Sequence, residues 1–159
     1  MKIRVMNHQM SVDMVNAMGA SATPMAFGEL YSALEQGVVD GAENNAPSLV
    51  SSGHYEIAKH YSLDEHSAVP DVLLMGTKAW ETLNEQEREW VLSATEASAQ
   101  AQKIFWAESV AECMVKLEAA GVTVHRPEKS PFAESSKSVI EEFIKDPAMK
   151  ELVEAIRKQ

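Results

Sequence analysis

Residues 84–120 read NEQEREWVLSATEASAQAQKIFWAESVAECMVKLEAA, with no proline or glycine among them. Asn84, with Glu87 three positions on, forms an asparagine version of the capping box that opens a helix. Trp90, Ala94, Ala97, Ala101, Ile104, Phe105 and Leu117 recur near helical spacing, and Gly121 ends the run. About 36 residues at ~1.5 Å each make a helix of roughly 54 Å. That exceeds the width of a compact domain of 159 residues. A helix of this length is expected to brace more than one body.

On either side of it short strands alternate with helices. Residues 2–6 read as a strand. Ser11 caps a helix bearing Val12, Met14, Val15 and Met18, which Gly19 stops. Residues 22–27 are extended, residues 28–36 helical, and Gly37 lies just past that helix. Residues 38–40 read as a strand, and Pro47 opens a helix running to about Tyr61. The unbroken apolar run Val72-Leu73-Leu74-Met75 predicts a strand buried on both faces. Beyond the long helix come a strand at 122–124 and helices at 132–145 and 147–158, broken at Asp146-Pro147. The class is therefore α/β with a largely parallel sheet. Three segments are expected: a ligand-binding α/β lobe at 1–83, the long helix at 84–121, and a terminal strand-helix region at 122–159.

Lysine and arginine number 14 against 24 acidic residues, a net charge of −10. This balance disfavours nucleic acid, whose binding needs cations to displace condensed counterions, and anionic lipid surfaces. An anionic ligand needs a local positive site working against the overall field. Cys113 is the single cysteine, so no intrachain disulfide or cysteine-based metal cluster can form. No apolar run is long enough to span a membrane, and MKIRVMNHQM lacks the apolar core of a signal peptide. No glycine-rich phosphate loop or nucleophile elbow occurs. Neither a cofactor nor a metal is expected, and the chain is not expected to be an enzyme.

The stretch VVDGAENNAP at 38–47 falls where α/β sheets bind ligands, beyond the carboxyl end of a strand. Glu43, Asn44 and Asn45 can be turn and cap chemistry before Pro47, or donors and acceptors for a polyol. Arg4 can be a solvated arginine, or a guanidinium fork aimed at a carboxylate. Phe27 can be core, or a flat wall for a ligand. Glu56 and His60 read as a surface pair on a helix flanked by His54. His66, with Asp64 or Glu65, offers an acid/base pair that no nucleophile or metal accompanies.

KIRV at 2–5, ATPMAFGELYSALEQGVVDGAENN at 22–45 and HYEIAKHYSLDEH at 54–66 resemble the solute-binding receptors of tripartite ATP-independent periplasmic (TRAP) transporters. The resemblance implies a two-lobed α/β receptor that closes on a small organic acid and hands it to membrane permease subunits. It implies that Arg4 clamps the ligand carboxylate, Phe27 packs on the ligand, and Asn44 hydrogen-bonds it with Glu43 alongside. The AENN form with YSLDEH is similar to the sugar-acid subgroup, such as uronates. There Asn45 suits a hydroxyl-rich ligand, and His66 joins the set.

The resemblance extends over the whole chain but matches the C-terminal half of the family, whose members carry a signal peptide and a first α/β half. The chain is thus expected to be a truncated second half of a periplasmic receptor. Its Arg4 would be half-exposed, its ligand binding weak, and its uncovered apolar surface would drive a homodimer or swapped assembly. The alternatives are a truncated paralogue that oligomerises without binding ligand, and a His66-dependent sugar-acid enzyme.

Overall fold

The computed structural model describes residues 1–158. It opens with β1 (Lys2–Val5), α1 (Gln9–Ala17) and β2 (Ser21–Pro24), a right-sized βαβ unit whose strands pair in parallel from Lys2↔Ser21 to Val5↔Pro24. A 3-10 turn at Phe27–Glu29 leads into α2 (Leu30–Glu35). A short β3 (Gly41–Ala42) then returns to the other edge of β1, with strand order β2-β1-β3. α3 (Ala46–Ser51) and a second 3-10 turn (His54–Glu56) precede β4 (His60–Ser62). After α4 (Thr77–Glu81) and α5 (Glu85–Ala119), β5 (Thr123–His125) pairs in parallel with β4 as a separate two-stranded sheet. α6 (Ser130–Phe143) and α7 (Pro147–Ile156) close the chain.

The structure therefore contains two parallel sheets, and the chain crosses from one to the other within residues 42–60. This corrects the expectation of a remnant amounting to one half of a two-lobed fold: both sheets, and the long helix that leads back into the second, are built from this chain. Among the described residues no helix is long and apolar enough to cross a membrane.

Each sheet has its own small core. Leu30, Ala33 and Val39 are buried together under α2, with Met25 and Leu34 against them. Ala46 and Leu49 of α3 meet Leu117 of α5 and Val122 before β5, joined by Val50, Tyr55, Tyr61, Cys113 and Met114. Cys113 is thus a packed thiol. The long helix opens with a complete capping box: Asn84 Oδ1 accepts the Glu87 amide at 3.0 Å, and Glu87 accepts the Asn84 amide at 2.8 Å. Gly121, at φ +79, takes the left-handed conformation that ends it.

Several local readings are corrected. Residues 38–40 are not a strand, because the amides of Val38 and Val39 turn back to the Ala33 carbonyl at 2.8 and 3.4 Å and finish α2 instead. Sheet pairing starts only afterwards, at Asp40 and Gly41. The helix after Pro47 stops at Ser51, where Gly53 at φ +70 turns the chain. His60 consequently lies on a strand, not on a helix with Glu56. Val72, Leu73, Leu74 and Met75 are not a buried strand. They are irregular and 70%, 76%, 83% and 48% exposed, with no strand partner among the described residues. An apolar run becomes a buried strand only where neighbours supply ladder bonds and cover. For the same reason Trp90, Ile104 and Phe105 of α5 are exposed, while Leu117 is fully buried.

The long helix is therefore anchored at its C-terminal end. Leu117→Ala is expected to destabilise the fold by about 2–5 kcal/mol, whereas Trp90→Ala should change it by less than about 0.5 kcal/mol. Urea unfolding of both variants checks this. Comparable losses in the two would mean that the helix is held along its length.

Candidate functional site

β1 is central in its sheet, and its side chains alternate faces. Arg4 is only 4% exposed, in contrast to the half-exposed arginine expected for a chain lacking a lobe. Its Nε–H donates to the Met25 carbonyl at 3.0 Å, a bond made possible because the chain leaving β2 stays beside β1 (Met25 N–H to Val5 carbonyl, 3.2 Å). Fixing Nε orients the guanidinium and leaves its two terminal nitrogens as a fork. Among the described residues no carboxylate lies within ion-pair distance of Arg4. A buried charge without a close counter-charge is costly, and an anion at this fork would offset that cost.

Phe27 is 45% exposed and does not belong to either core. The Arg4 guanidinium carbon lies 5.6 Å from its ring centroid, a cation–π contact. The buried ring of His54 also meets Phe27 edge-on at 5.5 Å, and Tyr31 lies 6.3 Å from His54. Arg4, Phe27 and His54 thus form a continuous series with one exposed aromatic member.

Glu43, Asn44 and Asn45 follow β3 directly. Burial pushes the Glu43 carboxyl above the usual carboxylate range, against the weaker opposing pull of His66 and Arg4. Tyr61 on β4 donates to the Asn44 carbonyl at 3.1 Å, and burial, with the charge of Asp64, raises the phenol pKa and keeps it a donor. Asn44 Oδ1 accepts the Asn45 amide at 2.9 Å, and Asn45 Oδ1 caps α3 through the Ser48 amide at 2.9 Å. Both amides therefore spend their oxygens locally and leave NH₂ groups for a ligand. The cap reading and the donor reading of Asn45 are compatible.

His66 Nδ1 and Asp64 Oδ1 are 2.8 Å apart. The two side chains meet because Glu65 between them adopts φ +53, an uncommon left-handed conformation for a non-glycine residue. Glu65 is in turn paired with Lys129. In the neutral ring, with Nδ1–H donated to Asp64, Nε2 is the acceptor; it is buried and has no hydrogen-bond partner among the described residues. Such an orphaned ring nitrogen is a ready acceptor for a ligand hydroxyl.

The structure thus places Arg4 against Phe27, and Glu43 within electrostatic reach of both Arg4 and His66. Tyr61 connects the Asn44 loop to β4. Sequence reasoning missed His54, read as part of a surface helix, and Tyr61 and Met25, to which it gave no role. The alternation of Tyr61 in HYS could have marked an inward phenol. Nothing in the sequence marks the Met25 carbonyl.

Comparison with known proteins identifies the class. Residues 1–146 match the family model described as bacterial extracellular solute-binding protein, family 7 (DctP), and the chain belongs to that family. A solute-binding protein of Chromohalobacter salexigens is 42% identical over 99% of this chain. A solved TRAP periplasmic solute-binding protein from Sulfitobacter sp. NAS-14.1, with bound β-D-galacturonate, is 41% identical and superposes on 100% of this chain with a TM-score of 0.94. One from C. salexigens with bound D-glucuronate is 42% identical over 99% of this chain, TM-score 0.95.

These findings correct the expectation of a chain defined as a C-terminal remnant, for the family assignment and for the function alike. The family match runs through nearly the whole chain, and the assignment is to the family as such. The chain spans about half the length of the relatives it matches, 47% of the C. salexigens protein and 53% of each solved chain. The family is one of solute-binding proteins and not of enzymes, and no catalytic role is assigned to the Asp64–His66 pair.

Burial first, and then the charge of Arg4, hold the His54 imidazole below its usual pKa of about 6.5. The unfolded chain takes up this proton before the folded one, so His54 withdraws stability as pH falls through that value. Glu43 acts in the opposite sense: its raised pKa favours the neutral form in the fold, which weakens as pH rises above the ordinary carboxylate value. His54→Gln is expected to flatten the loss of stability between about pH 7 and pH 5, followed by urea unfolding. An unchanged slope would remove His54 from this role.

Proposed function

We propose that this chain is the solute-capturing component of a TRAP transporter and that its solute is a uronate. The observation that carries the proposal is the buried guanidinium of Arg4, held by the Met25 carbonyl with no carboxylate at ion-pair distance among the described residues. A uronate offers a carboxylate on a ring studded with hydroxyls. Its carboxylate pairs with Arg4 by two parallel charge-assisted hydrogen bonds. Its ring lies on Phe27. Its hydroxyls meet the Asn44 and Asn45 amides, Glu43, and the free Nε2 of His66. The uronates bound by the similar Sulfitobacter and Chromohalobacter proteins support this choice. The periplasm is the corresponding compartment, and membrane permease subunits are the proposed recipients.

Charge-assisted hydrogen bonds contribute about 1.5–3 kcal/mol each. Arg4→Ala should therefore weaken D-galacturonate and D-glucuronate binding by at least about a hundredfold in calorimetry. Arg4→Lys keeps the charge but loses the fork, and should recover only part of the affinity. Unaltered binding in Arg4→Ala would refute the clamp.

The exposed apolar side chains of α5, Ile104, Phe105 and Trp106, and the run at 72–75, favour association of two copies as a second proposal. Light scattering across a concentration series should give twice the chain mass, and Phe105→Glu with Trp106→Glu should return it to one. A single-chain mass at every concentration would contradict the pairing.

A further inference from the structure

The β4–β5 sheet has one face turned to the second core, where Tyr61 joins the cluster of Ala46, Leu49, Leu117 and Val122. Alternation puts His60, Ser62, Thr123 and His125 on the opposite face, and all four are exposed. The parallel register sets His60 beside Thr123 and Ser62 beside His125, so the two histidines are diagonal neighbours. Their rings stack with centroids 5.3 Å apart, and His60 Nδ1 lies 3.1 Å from His125 Nε2. The ladder holds both strands beyond the histidines, through Thr123 N–H to the Lys59 carbonyl and Leu63 N–H to the His125 carbonyl, each 2.9 Å.

We propose that His60 and His125 form a two-imidazole site for a divalent transition-metal ion of the zinc, copper or nickel type, with water completing the coordination. Zinc–nitrogen bonds are about 2.0–2.1 Å, so two nitrogens on one ion stand about 2.9 Å apart at a right angle and about 3.3–3.4 Å apart at the tetrahedral angle. The 3.1 Å separation lies between these limits, and a turn of both rings off the axis on which their nitrogens now face each other aims both lone pairs at one ion. Imidazole is a ligand suited to these ions. The strand ladder supplies the preorganisation that two isolated surface histidines lack. The ion takes the place of the single proton now shared by the facing nitrogens. The net charge of −10 favours cation approach.

Among the described residues no cluster of three or more His, Cys, Asp or Glu side chains is placed to hold a metal. The site is accordingly an open, exchangeable one and not a closed structural zinc centre. It lies on the face of β4 opposite Tyr61 and is separate from Arg4 and Phe27. An ion there ties β4 to β5 just before the chain enters the Asp64–His66 turn.

Calorimetric titration of zinc chloride into the whole chain tests the site. One saturable Zn²⁺ per chain is expected. His60→Gln and His125→Gln should each weaken binding at least tenfold, the double variant should be no worse than either single one by a comparable factor, and His8→Gln should leave binding unchanged. A second readout needs no variant: zinc should shift the imidazole NMR resonances of His60 and His125 before those of any other histidine. Absence of saturable binding, undiminished affinity in both single variants, or first shifts at other histidines would each overturn the proposal.

Discussion

A positive charge buried in a sheet, with no carboxylate at ion-pair distance among the described residues, is the constraint on which the rest depends. Arg4 sits on the central strand of its sheet, its Nε–H given to the Met25 carbonyl and its guanidinium against the Phe27 ring. Isolated, such a group would be unfavourable, and evolution ordinarily pairs it or leaves it in water. Burial biases Glu43 toward its neutral form, and burial together with Arg4 keeps His54 uncharged over more of the pH range. On the proposed reading, an anion paired with Arg4 offsets the cost of burying its charge, and that offset contributes to the binding free energy.

The neighbouring elements serve this arrangement. The parallel β1–β2 register brings the Met25 carbonyl beside Arg4. The 3-10 turn after β2 presents Phe27 to solvent against the guanidinium. The second sheet reaches the same place through Tyr61, whose phenol holds the Asn44 carbonyl, and through the left-handed Glu65 that joins Asp64 to His66. The candidate site thus draws residues from both sheets, and α5 packs Leu117 into the core of the second of them. A solute that touches Arg4 on one side and His66 on the other would couple the two sheets.

How much of this was legible in the sequence follows from the range of the interactions. Asn84, Glu87 and Gly121 delimit the long helix through contacts within one turn, and these were readable. The alternation in KIRV placed Arg4 opposite Ile3 and Val5. Residues 38–40 and 72–75 misled because β-branched and apolar runs state a preference, while a strand needs a partner. Val38 and Val39 found theirs in the Ala33 carbonyl, and Val72 to Met75 found none among the described residues. The candidate site was named residue by residue from motif resemblance. Its burial, the neutral bias of Glu43 and the part of His54 depend on contacts between residues 21 to 50 positions apart, which no local pattern encodes.

The most direct test of the buried guanidinium as the determinant of recognition is calorimetry of the unaltered chain with D-galacturonate and with its uncharged methyl ester. The two differ in the charge presented to Arg4 and hardly at all in ring or hydroxyls. Affinity for the acid at least about a hundredfold above that for the ester is the predicted result. Equal affinity for both would contradict the account, because binding would then rest on the hydroxyls and Phe27 alone.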